Sequence, residues 1–131
     1  MFFALAKEQI VSINDQKILI VDDEESLLFV LKDFFDDEGF HTTTASSGNQ
    51  ACLIYDKNDF DVILCDVRMP DGDGLDFLNY INQQNKKKPL FIFASAYSDL
   101  DPNKAKEFGA NDFFYKPLDI NLVLKRIHEL L

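Results

Sequence analysis

The chain has 131 residues, and its 23 Asp and Glu against 13 Lys and Arg give a formal charge of −10 at pH 7. That length fits a single domain, and 47% hydrophobic with 27% charged residues is the balance of a chain that buries one core, which excludes a disordered or collagen-like polypeptide. No basic stripe opposes the negative field, so direct binding of nucleic acid is excluded as an expected role.

Residues 1–16 come first, and Phe2, Phe3, Ala6, Ile10 and Ile13 fall on one helical stripe of an N-terminal arm, read as helical or disordered. Residues 17–21 form a short β-branched run closed by Asp22 and Asp23. Leu27, Leu28, Leu31, Phe34 and Phe35 then recur with helical spacing, and Gly39 stands where a helix C′ residue would. Residues 40–45, with three consecutive threonines, predict a second strand. A helix follows from Ser47, with Ala51, Ile54 and Tyr55 on one face, and residues 62–65 make a third strand, apolar on both faces and ended by Asp66.

The turn at 71–74, Asp-Gly-Asp-Gly, leads into a helix bearing Leu75, Leu78 and Ile81. It lacks the spacing and terminal Glu of a calcium loop. After Pro89, residues 90–94 predict a fourth strand that ends at Ser95. Asp101 is an N-cap before Pro102 at the first helical position, and Gly109 ends the short helix they open. Residues 113–115 predict a fifth strand, stopped by Lys116 and Pro117, and Asp119 caps a last helix with Leu122, Val123, Ile127 and Leu130 inward. Five βα units with continuously apolar strands predict a doubly wound α/β domain, a parallel sheet covered by helices on both faces, spanning residues 17–131.

Cys52 and Cys65 have no partner pair, and His41 and His128 lack metal-like spacing. No stretch approaches the roughly 18 apolar residues of a membrane span. The expected setting is therefore reducing and cytoplasmic, with no membrane contact.

In an open α/β sheet, binding residues gather at the carboxyl ends of the strands. By that rule Asp22 and Asp23 end the first strand, Asp66 the third, Ser95 the fourth and Lys116 the fifth. Crowded carboxylates repel and raise at least one pKa unless a cation joins them. Mg²⁺ takes oxygen ligands and keeps several waters, so a few carboxylates plus a phosphate suit it. With the metal neutralising charge, Lys116 and Ser95 are left to hold phosphoryl oxygens, which is the chemistry of phosphoryl transfer.

Val21-Asp22-Asp23-Glu24, Asp66 with Met69-Pro70, Asp73-Gly74, Ser95-Ala96, Gly109-Ala110 and Lys116-Pro117 together resemble the receiver domain of two-component response regulators, chemotaxis regulators among them. The resemblance implies a flavodoxin-like (βα)5 sandwich with strand order 2-1-3-4-5. It implies that Asp66 accepts a phosphoryl group from a histidine kinase or a histidine phosphotransfer protein, in a phosphorelay that ends on a downstream protein target, an output domain or a phosphorylation-linked homodimer. Asp23 would hold Mg²⁺ directly and Asp22 largely through water, with the backbone carbonyl of Arg68 as a further ligand and Mn²⁺ or Ca²⁺ able to substitute. Lys116 would pair with phosphoryl oxygens, Ser95 would swing in to bond one of them, and Phe113 matches the family's switch aromatic. The Lys116–Pro117 bond is expected to be cis. Such a chain is a stoichiometric phosphoacceptor that assists its own phosphorylation and dephosphorylation, not a conventional enzyme.

Two departures stand out. The interval from Ser95 to Gly109 is a residue shorter than is common in the family, leaving barely two helical turns there, and Arg68 puts a cation two residues after Asp66. A phosphorylation-independent receiver-fold binding module is the main rival reading, although all the site residues are intact. An Mg²⁺-dependent aspartyl phosphohydrolase would need a second Asp where Arg68 stands. Flavin phosphate would be repelled by the acids at 22–25.

Overall fold

Alternation along the strands divides the apolar side chains between two faces of one sheet. Lys17–Val21 (β1), His41–Ala45 (β2), Val62–Cys65 (β3), Leu90–Ser95 (β4) and Asp112–Tyr115 (β5) pair in parallel, in the order β2-β1-β3-β4-β5. The computed structural model describes residues 15–96 and 100–131. The stripe expected along the N-terminal arm lies outside them.

Leu19, Val21, Ile63, Cys65, Phe91 and Phe93 point to one face, where they meet helices Gly48–Lys57 (α2), Gly74–Asn82 (α3) and Pro102–Glu107 (α4) through Ala51, Tyr55, Phe77, Leu78, Ile81 and Ala105. Ile18, Ile20, Val62, Leu64, Ile92 and Ala94 point to the other, against Leu28, Leu31 and Phe35 of Glu25–Asp37 (α1) and Val123 and Ile127 of Ile120–Leu130 (α5). Because both faces are covered, β3 is buried at every position and β1 and β4 at all but their first, which is why they read as nearly unbroken apolar runs.

Helix starts follow local chemistry. Ser47, Asp73, Asp101 and Asp119 each accept a backbone N–H of the helix they open, and Asp73 with Asp76 forms a reciprocal capping box. Helix α4 is only six residues long, in keeping with the short interval noted in the sequence.

One expectation is corrected. Leu122, predicted to face inward, is 49% exposed, whereas Ile120 and Leu124 pack on the core beside Val123 and Ile127. Positions 120, 123, 124 and 127 share one face at 3.6 residues per turn, and 122 falls off it. No helix among the described residues is long and apolar enough to cross a membrane.

Candidate functional site

Backbone pairing continues one residue beyond several strands and sets the site residues side by side. The amide of Asp66 donates to Val21 O at 2.9 Å, that of Asp22 to Ala45 O at 3.1 Å, and that of Lys116 to Ser95 O at 2.9 Å. The register, with Val21 opposite Cys65, Cys65 opposite Phe93 and Ser95 opposite Tyr115, thus delivers Asp22, Asp66, Ser95 and Lys116 to one rim of the sheet.

At that rim one carboxylate oxygen each from Asp22, Asp23 and Asp66 lies within 4.8 Å of the other two. Asp22 and Asp66 are buried and Asp23 is exposed, so the cluster opens toward solvent on one side. Lys116 Nζ bridges the two buried acids, 2.6 Å from Asp22 Oδ2 and 3.1 Å from Asp66 Oδ2. The other oxygen of Asp66, Oδ1, accepts the Ser95 hydroxyl at 2.6 Å and the Val67 amide at 2.7 Å. Asp22 Oδ1 accepts the Glu24 amide at 2.9 Å.

Burial pushes the Asp22 carboxyl above its ordinary pKa; the hydrogen bonds from Lys116 and Glu24 oppose this, and the charge of Asp66 adds to it. Crowding alone was the reason expected from sequence, but lost hydration is the larger cause. For Lys116, burial acts to lower the pKa, but its bonds to Asp22 and Asp66 outweigh it and hold the ammonium above its usual value. Burial also pushes the neighbouring Cys65 thiol well above its ordinary pKa, and its Sγ donates to Asp66 O at 3.1 Å.

The remaining expected residues flank this cluster. Arg68 is exposed and shares a shallow cavity of about 410 Å³ with Met69, Pro70 and Asp73. Phe113 is half-buried, its ring 6.3 Å from Phe93 and 5.1 Å from Tyr115. The Lys116–Pro117 peptide is cis. In the turn at 71–74, Gly74 N donates to Val67 O at 2.7 Å, so the turn also braces the residue after Asp66.

Three carboxylates against one ammonium leave two negative charges in a set of oxygen donors. That is the demand of a divalent, oxygen-seeking cation.

The profile of the response regulator receiver domain matches residues 18–128. The chain belongs to the response regulator receiver domain family. This receiver is 36% identical over 115 residues to the transcriptional regulatory protein CpxR of Klebsiella pneumoniae, covering 88% of the chain and 49% of the relative. It spans about half the length of the curated relatives it matches. Among solved structures, the receiver domain of Francisella response regulator 1452 superimposes with a TM-score of 0.81 at 29% identity, over 88% of this receiver and 95% of that chain. TrrA from Thermotoga maritima, solved in complex with Mg²⁺ and BeF, superimposes at 0.78 with 27% identity, over 88% and 99%.

Proposed function

We propose that Asp66 is the phosphoacceptor of this receiver and takes a phosphoryl group from a phosphohistidine on a histidine kinase or histidine phosphotransfer protein. The observation that carries the reading is the placement of Lys116 between Asp22 and Asp66, with Ser95 fixed on the opposite oxygen of Asp66. Oδ1 is already held by two donors, so Oδ2, whose one partner is the Lys116 ammonium it shares with Asp22, is the attacking atom. A P–O bond forms there as the P–N bond breaks, and the electron pair leaves with the imidazole nitrogen. Lys116 then moves from carboxylate to phosphoryl oxygen, and Ser95 offers its hydroxyl to a second one. Each molecule is modified once, as a stoichiometric acceptor.

Asp22, Asp23, Asp66 and the Arg68 carbonyl are the groups that would hold Mg²⁺. When bound, it supplies neutralisation of the carboxylates and the incoming phosphoryl oxygens. We assign residues 17–131 to the receiver and 1–16 to a preceding arm. Output runs through Phe113 and the face of α4, β5 and α5 to a downstream protein, an output domain or a second copy, in a cytoplasmic setting.

Thermal unfolding tests this reading. At ten times its dissociation constant, a ligand of the native state adds about 1.4 kcal/mol, or roughly 5 °C at this chain length. Mg²⁺ with beryllofluoride, a phosphoryl mimic, should raise the wild-type melting temperature beyond the effect of Mg²⁺ alone, and Asp66→Asn should remove the additional rise. An equal rise in Asp66→Asn would contradict the assignment.

A further inference from the structure

The loop from Asp66 to the start of α3 carries both the acceptor and the Arg68 carbonyl, and it is pinned at two places by backbone contacts that leave no room for a side chain. At its far end, Gly74 lies so close to Asp66 that a Cβ there would stand 2.1 Å from Asp66 O. At its tip, the loop is held by a different element. Gly48 N donates to Gly72 O at 2.8 Å and Asn49 N to Asp71 O at 3.0 Å, so the first two amides of α2 are spent on the loop. A Cβ on Gly48 would meet Gly72 O at 2.5 Å and Asp73 O at 2.8 Å. Both nearest atoms are backbone and cannot swing aside as a flexible side chain could, so any larger residue must push the loop away. The tip itself is held in a left-handed conformation, with φ of 60° at Asp71 and 96° at Gly72, and is poorly suited to absorb the push elsewhere.

We propose that Gly48 is a positioning residue, and that the N-terminus of α2 clamps the loop so that the Asp66 carboxylate and the Arg68 carbonyl stay in register with Asp22 and Asp23 for a divalent cation. The proposal rests on the reading of this cluster as the Mg²⁺ site of a phosphoacceptor. The clamp touches neither metal nor phosphoryl group. Its effect should therefore appear in metal affinity, separately from stability, as with other groups that orient ligands from behind.

Gly48→Ala adds the obstructing Cβ. Asn49→Pro deletes one clamp hydrogen bond at a first-turn position where proline is tolerated, and it serves if Gly48→Ala does not fold. Lys86→Ala is the control: it loosens the opposite end of α2, where Lys86 Nζ bonds Asn58 O at 3.1 Å. Mg²⁺ alone is titrated calorimetrically into each folded protein, and the metal-free melting temperature is recorded beside it. Gly48→Ala or Asn49→Pro should weaken Mg²⁺ binding about tenfold or more, while Lys86→Ala lowers the metal-free melting temperature and keeps wild-type affinity. Clamp variants that lose stability but bind Mg²⁺ as the wild type does would overturn the clamp and leave the site intact. Wild-type protein that takes up no Mg²⁺ would instead overturn the reading of the site on which the clamp rests.

Discussion

Burial strips the Asp22 carboxylate of its hydration, and Lys116 and the Glu24 amide return only part of it. Its pKa in the folded state therefore lies above the unfolded value, and the folded protein binds more protons than the unfolded one in the window between them. The stability this costs is absent below the ordinary carboxylate range, grows as pH rises through it, and is fully present at neutral pH. In EDTA, Asp22→Asn should raise the melting temperature at pH 7 by a few degrees, on the order of 1 kcal/mol, and the gain should vanish under acid conditions. A calorimetric pH series of the two proteins checks this, and a lower melting temperature for Asp22→Asn at pH 7 would show that Lys116 more than repays the burial. The same residue should account for much of the Mg²⁺-dependent stabilisation, since the cation relieves what the ammonium leaves unbalanced.

The helices show which part of the architecture is written locally. Asp101 and Asp119 could be read as caps, and Ser47 as the start of a helix, because capping depends on a side chain and an amide two or three residues away. Phe77 was not singled out in the sequence and yet is fully buried, its ring 6.1 Å from Tyr55 and 6.0 Å from Phe91, because its place depends on two other elements. The lysines at 86–88 carry the same lesson. In sequence they are a biased run; in the fold Lys86 donates to the carbonyls of Tyr55 and Asn58 and lies 4.1 Å from the Tyr55 ring centroid, while Lys88 donates to Gly109 O at 3.0 Å. Two of the three therefore bind carbonyls at the ends of α2 and α4. Lys86→Ala should cost about 1–2 kcal/mol in denaturant unfolding, the range for charge-assisted bonds and a ring contact that keep some access to water. A change within error would mean that α2 holds its end unaided.

Across the whole molecule, βα alternation predicts the layers and the rule of carboxyl strand ends predicts the rim, both from residues alone. The strand order came from the family resemblance, because spacing does not say which strand lies beside which. Two features stayed hidden for a common reason. The Lys116 bridge links residues 94 and 50 apart in sequence, and the Gly48 clamp is made of backbone atoms that no side-chain pattern records. The net charge of −10 is concentrated in part at the rim, where three carboxylates face one ammonium. At this scale everything turns on one oxygen of Asp66. The direct test is intact-mass analysis after incubation with acetyl phosphate, using wild type and Asp66→Asn, each with Mg²⁺ and with EDTA. The wild type with Mg²⁺ should gain the mass of a single phosphoryl group, and the other three samples should gain none; the same gain in Asp66→Asn with Mg²⁺ would contradict the account.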